Sequence, residues 1–207
     1  MPLINHMLTP NRAWGLWQIT EKMEYLKQQF PSYDRLPAGL NHPDKICEHM
    51  VGRILIRKLC RHLQLPYEGI RKNENNKPFL YNQPVHISIS HSHPYVTAVI
   101  DRINPVGIDL EQYKPKLLRI APRILHASEV ADAGTDISKH TVYWCAKEAL
   151  LKVQGEKNLT FAEDIRITPF TLQNRGILEG HILRPEKISI FNLEYQLMPD
   201  YAYAYTL

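Results

Sequence analysis

The chain has 207 residues, 44% hydrophobic and 22% charged, with a formal net charge of +4. That length and composition suit a globular protein with one large or two small cores, and exclude a disordered or fibrous chain. The positive balance favours an acidic or phosphorylated partner. Its Lys and Arg are too dispersed, and too little interleaved with aromatics, for a nucleic-acid binder. No apolar run approaches the about 18 residues of a membrane span. Residues 1–10 lack the basic start and apolar middle of a signal peptide, so a cytoplasmic protein is expected. Cys47, Cys60 and Cys145 are odd in number and show no Cys-x-x-Cys spacing, which predicts reduced, buried thiols.

In chain order, Ala13 to Thr20 reads as a first strand and Glu21 to Phe30 as a helix. Pro31 to Asn41 is loop. Pro43 to Leu63 is a long helix with proline in its first turn. Ile46, Met50, Val51, Ile54, Leu55 and Leu59 form its core stripe, and Lys45, Glu48, His49, Arg53, Arg57 and Lys58 its solvated face. Ile70 to Leu80 is extended around a turn at Asn75-Asn76-Lys77-Pro78, where Asn76 can take the left-handed backbone usually left to glycine. Val85 to Ser90 and Tyr95 to Asp101 alternate and flank His91-Ser92-His93-Pro94, a hairpin signal. Ile103 to Pro105 is the expected boundary between two halves, 1–103 and 104–207.

Val106 to Leu110 is the next strand, and Pro115 to Leu125 a helical stretch. Ser128 to Ala133 predicts a short helix with Ser128 as its N-cap. The helix from about Ser138 stops at Gly155, and Val142, Ala146, Ala149, Leu150 and Val153 are its buried stripe. After it, Ile165–Ile167, Leu172, Ile177–Leu183, Lys187–Leu197 and Tyr201–Leu207 are β-like. The last of these alternates as Tyr-Ala-Tyr-Ala-Tyr.

Two stretches carry the chemistry. In Gly107-Ile108-Asp109-Leu110-Glu111, Asp109 and Glu111 are two apart and project from one strand face. Carboxylates held that close repel unless a cation sits between them. In Trp144-Cys145-Ala146-Lys147-Glu148-Ala149-Leu150-Leu151-Lys152, Glu148 and Lys152 share a helix face at i, i+4. Taken alone, the first is the pattern of a solvated edge and the second of a surface pair. Together, three carboxylates and a lysine make an oxygen-rich site for a hard divalent cation, magnesium above all, and a phosphate. His42, His49, His62, His126 and His140 show no metal-ligand spacing.

Gly-Ile-Asp-Leu-Glu followed by Trp-x-x-Lys-Glu-Ala-x-x-Lys resembles the two signatures of the 4′-phosphopantetheinyl transferase superfamily. Asn76-Lys77-Pro78 resembles its Gly-Lys-Pro segment and Ser90-His91-Ser92 its Ser-His-Ser segment, so the likeness runs from about Lys45 to Gly155. The resemblance implies an α/β (α+β) fold of two similar halves about a pseudo-twofold axis. Each half would be a small, mainly antiparallel sheet with a long helix, and the active site would lie in the cleft between them. It implies transfer of the 4′-phosphopantetheine arm of coenzyme A to a serine of an acidic carrier protein, with release of 3′,5′-ADP. By motif, Asp109, Glu111 and Glu148 fall on the metal ligands; for the serine's proton, Glu148, alone or through a metal-bound water, is the best-placed general base. Lys152 falls on the phosphate-contacting lysine, and Lys77, Ser90 and His91 on coenzyme A contacts. Larger members carry an arginine before the glycine of the first long helix that grips the 3′-phosphate. Counting back from Gly52 puts Glu48 there, with Lys45 and Arg53 the nearby cations. The internal pseudo-dimer that the resemblance implies leads to the expectation of a monomer. A catalytically idle coenzyme A or carrier-binding module is the rival reading.

Overall fold

The computed structural model describes residues 3–155 and 159–207. The chain divides into two compact units, Met1–Val106 and Gly107–Leu207. The first contains β1 (Leu3–Leu8), β2 (Arg12–Gln18), α1 (Met23–Gln29), α2 (Pro43–His62), β3 (Ile70–Lys72), β4 (Pro78–Leu80), β5 (His86–Ser92) and β6 (Tyr95–Asp101). Its main sheet runs β1-β2-β6-β5 with antiparallel pairing throughout. Strand β1 has no counterpart in the sequence expectations. Ile4 and Leu8 on its outer face are exposed, so its apolar residues do not alternate with polar ones and the period-two signal is lost.

Helix α2 covers that sheet. Met50, Val51, Ile54, Leu55 and Leu59 are buried against Ala13, Trp17, Ile87, Val96, Ala98 and Ile100, and Ile46 is partly buried. Each aliphatic side chain so covered contributes about 1.5–3 kcal/mol by transfer from water. The opposite face does not stay wholly in solvent as expected, because Glu48 is buried too. Asn76 has φ +64°, the left-handed conformation expected of it, in the turn joining β3 to β4.

The second unit contains β7 (Ile108–Gln112), α3 (Lys116–Ile124), α4 (Ala127–Ala133), α5 (Ile137–Gln154), α6 (Phe161–Asp164), β8 (Ile165–Ile167), β9 (Arg175–Arg184), β10 (Lys187–Leu197) and β11 (Tyr201–Thr206). Its sheet runs β7-β11-β10-β9-β8, again antiparallel. Helix α5 lies on it, packed mainly on β11 and β7. Asp136 caps the helix, accepting the N–H groups of Ser138 and Lys139 at 2.8 and 3.2 Å. Gly155 closes it at φ +67°, a conformation that costs glycine nothing.

Two local expectations change. The N-cap of α4 is His126, not Ser128: its ring accepts the Ser128 N–H while Glu129 reaches back to the His126 N–H at 2.7 Å. The glutamate three residues on fixes this reciprocal cap, and an imidazole nitrogen serves as acceptor where a hydroxyl was expected. All six residues of β11 are buried, tyrosines and alanines alike, with Ala202 and Ala204 in the core beside Ala146 and Ala149 of α5. The three cysteines are free and buried. No helix among the described residues is long and apolar enough to cross a membrane.

Candidate functional site

The acidic motif owes its geometry to small residues. Gly107, Asp109 and Glu111 share one face of the β7 stretch, and the residues opposite Asp109 and Glu111 on β11 are Ala204 and Ala202. These alanines join Ala146 and Ala149 of α5 in the core. At Gly107 a β-carbon would stand 1.9 Å from the carbonyl oxygen of Ala149, so only glycine permits the approach. With helix and strand this close, the long side chains of the next helical turn reach the strand.

Lys152 donates from Nζ to Asp109 Oδ1 at 2.7 Å and to the Ile108 carbonyl at 3.0 Å. Asp109 is buried, 6% exposed. Glu148 lies one turn before Lys152 and is half-buried. Burial first, then the carboxylates of Asp109 and Glu111, push its pKa up to about 7 against the opposing pull of Lys152. Glu111 pairs with Lys114 at 2.6 Å.

All four motif residues therefore lie within electrostatic reach of one another. Among the described residues, however, no three His, Cys, Asp or Glu side chains converge closely enough to hold a metal ion. Asp109 is engaged by Lys152 and Glu111 by Lys114. The donor chemistry nevertheless fits magnesium: the set is all carboxylate oxygen, and the crowding that raises Glu148 is what a hard divalent cation relieves.

The other half of the helical motif is structural. Lys147 is fully buried, its Nζ held by Glu129 at 2.5 Å and by the carbonyls of Ile124 and Phe161 at 3.1 and 2.9 Å. Glu129 also accepts the Ile167 N–H at 2.7 Å. Burial drives Lys147 down and Glu129 up in pKa, each opposed by its partner. Trp144 stacks on Phe161 with ring centres 5.6 Å apart. So Trp144 and Lys147 anchor α5 to its surroundings, while Glu148 and Lys152 supply the polar site. The sequence reading gave neither Glu129 nor Lys147 a role. Glu129 three residues after the His126 cap was the available signal.

In the first unit, Lys77 follows the Asn76 turn, and its N–H donates to Asn73 Oδ1 at 2.9 Å. Burial lowers its amine pKa. Ser90 and His91 are consecutive on β5 and project from opposite faces. Ser90 is buried. His91 shares the α2-facing side with Ile89, whose Cγ2 lies 3.2 Å from where a Gly52 β-carbon would be. Glu48, one helical turn before Gly52, meets His91: Oε2 is 3.0 Å from the ring Nδ1 and 2.7 Å from Lys45 Nζ. Arg53 is turned elsewhere, its Nε 3.9 Å from buried Asp34 and its Nη1 donating to the His49 carbonyl at 3.2 Å.

An acidic, oxygen-donor site with a lysine at its edge, built where an edge strand meets the long helix, defines the second unit. A model of the 4′-phosphopantetheinyl transferase superfamily matches residues 105–206, which span that unit. The chain is 35% identical over 115 residues to the 4′-phosphopantetheinyl transferase gsp of Aneurinibacillus migulanus, covering 52% of this chain and 48% of that protein. It is 33% identical over 124 residues to the 4′-phosphopantetheinyl transferase Sfp of Bacillus subtilis (strain 168), covering 56% and 55%. The chain thus spans about half the length of the curated relatives it matches. Residues 105–206 are thus similar to the 4′-phosphopantetheinyl transferase superfamily.

Proposed function

We propose that this protein transfers the 4′-phosphopantetheine arm of coenzyme A to a serine hydroxyl of an apo carrier protein, giving holo-carrier and 3′,5′-ADP. The observation that carries this reading is the Asp109–Lys152 contact, with Glu148 and Glu111 in electrostatic reach, inside the unit that matches the superfamily. Transfer makes one bond, from serine oxygen to the phosphorus bearing the pantetheine arm. It breaks one, from that phosphorus to the anhydride oxygen that leaves on 3′,5′-ADP. Such chemistry needs a positioned nucleophile, an acceptor for its proton and charge balance on the phosphates more than covalent help.

Glu148 is the proton acceptor, because burial and its acidic neighbours raise its basicity far above that of an ordinary carboxylate. Lys152 opposes the charge developing on the leaving phosphate, and its two bonds to β7 fix where its ammonium stands. Asp109, Glu111 and Glu148 would hold magnesium, which supplies Lewis-acid neutralisation of the pyrophosphate when bound. Lys77, Ser90 and His91 contact the coenzyme A phosphates. The same reading takes the chain as a monomer of the reducing cytoplasm, where its buried thiols stay free.

The test is mass spectrometry of apo acyl and peptidyl carrier proteins after incubation with this protein, coenzyme A and magnesium. A mass gain equal to the phosphopantetheine arm on the carrier serine, with release of 3′,5′-ADP, is expected. Coenzyme A binding without either product would make the chain an idle binding module instead.

A further inference from the structure

Helix α2 and strand β5 meet at a charged contact that the proposed chemistry does not use. Helical residues one turn apart, Glu48 and Gly52, oppose strand residues two apart, His91 and Ile89, so the two periodicities run in step. At Gly52 the space is filled by Ile89; at Glu48 the partner is an imidazole. The burial is uneven. The Glu48 side chain is 0% exposed, whereas Lys45 is 50% and His91 45% exposed. A carboxylate sealed at the bottom of the contact thus holds a lysine ammonium and an imidazole at its open rim. Burial would raise the Glu48 pKa, but the hydrogen bonds and charges of His91 and Lys45 outweigh it and hold it down at about 2. Oε2 lies 3.0 Å from Nδ1, so Nδ1 is the ring nitrogen on the carboxylate side and Nε2 is the one left for a ligand.

We propose that Glu48 is a positioning residue, which orients His91 and Lys45 so that Nε2 and the free ammonium hydrogens together face a phosphate ester of coenzyme A. This rests on the reading above that His91 meets the cofactor's phosphates. It adds that the buried acid, although of the wrong charge to touch a phosphate, governs affinity for one through its neighbours. A plain structural staple between α2 and β5 would show only in stability. An orienting carboxylate shows in cofactor affinity, and only while the imidazole is present.

The experiment compares coenzyme A affinity, by calorimetry on the whole chain, for wild type, Glu48→Met, Glu48→Gln, His91→Ala and the double variant Glu48→Met/His91→Ala. Methionine matches the volume but removes the acceptor; glutamine keeps an oxygen for Nδ1–H. Glu48→Met is expected to weaken coenzyme A binding about tenfold, the worth of a charged hydrogen bond, and Glu48→Gln to recover most of the loss. In the His91→Ala background, Glu48→Met should add at most a residual effect through Lys45. Where transfer occurs, the Michaelis constant for coenzyme A should move and kcat should not. Affinity unchanged in Glu48→Met, or losses that multiply in the double variant, would overturn the proposal. Wild type that binds coenzyme A without transfer sinks the transferase reading, yet the affinity cycle still decides Glu48. Wild type with no affinity for coenzyme A sinks both.

Discussion

Glu48 and Glu148 each sit on a long helix that covers a sheet, and their surroundings drive them in opposite directions. Glu48 meets Lys45 and the His91 imidazole and is held at about 2; Glu148 meets two carboxylates and is raised to about 7. For Glu48 the folded value lies below the ordinary 4.5, so its ionised form stabilises the protein above that pH. That contribution fades as pH falls from 4.5 through about 2. Denaturant midpoints should show Glu48→Gln less stable than wild type at neutral pH by on the order of 2 kcal/mol, discounted for its half-exposed partners. The gap should shrink below pH 4, and a gap constant down to pH 2.5 would contradict the linkage. For the acidic site, Glu148→Gln should lower kcat about 100-fold or more while coenzyme A affinity stays within about twofold, the signature of a proton acceptor. Asp109→Ala removes the carboxylate that Lys152 grips and should abolish transfer. Steady-state kinetics that match wild type in either variant would remove the assignment.

Among the elements, β7 and α5 decide most of the site, and their closeness depends on Gly107. Adding a methyl group there puts carbon 1.9 Å from a backbone oxygen, which no rotamer change relieves. Gly107→Ala should therefore cost about 1–3 kcal/mol by overpacking, and prise β7 from α5 until the Asp109–Lys152 contact opens. Paired thermal melts and transfer assays would test this: a variant with wild-type stability and rate would mean the approach tolerates a side chain. A second element-scale prediction concerns the tether beneath α5. Lys147→Met leaves the Glu129 carboxylate buried without its cation, so about 3–5 kcal/mol of stability should be lost. Adding Glu129→Gln should recover part of it, since the amide oxygen can still accept one of the two N–H groups and no buried charge is left. Chemical denaturation of the single and double variants would measure the recovery, and equal losses in both would contradict it.

Over the whole molecule, the positive net charge has one local expression beside the acidic motif. Lys116, Arg119 and Arg123 are exposed on α3, while Leu117 and Ala121 on the same helix are buried. Lys114 is drawn to Glu111 instead. An exposed basic rim is suited to steering an acidic carrier protein, and such steering is screened over about 8–10 Å at physiological salt. Arg119→Glu with Arg123→Glu should raise the Michaelis constant for the carrier several-fold, flatten its salt dependence and spare coenzyme A binding. Carrier kinetics indifferent to both salt and charge reversal would move the docking surface elsewhere.

Periodicity and punctuation in the sequence already determined the two long helices, the hairpin around His91–Pro94, the left-handed Asn76 turn and the Gly155 stop. Each of these depends on residues close in the chain. The two motifs were equally legible, because Gly-Ile-Asp-Leu-Glu and Trp-x-x-Lys-Glu-Ala-x-x-Lys are contiguous patterns. What the sequence left undecided depends on partners far along the chain. A helix-face pattern assigns Glu48 to solvent; only the packing of β5 against α2 brings His91 over it and makes it a buried anion. Tyr-Ala-Tyr-Ala-Tyr shows only that the segment alternates, whereas in the fold both its tyrosines and its alanines are buried. Lys147 and Glu148 are neighbours of similar polarity, yet the fold seals one on Glu129 and leaves the other half-open beside Asp109. Burial and charge pairing are properties of the space around a side chain, and tertiary structure alone fills that space.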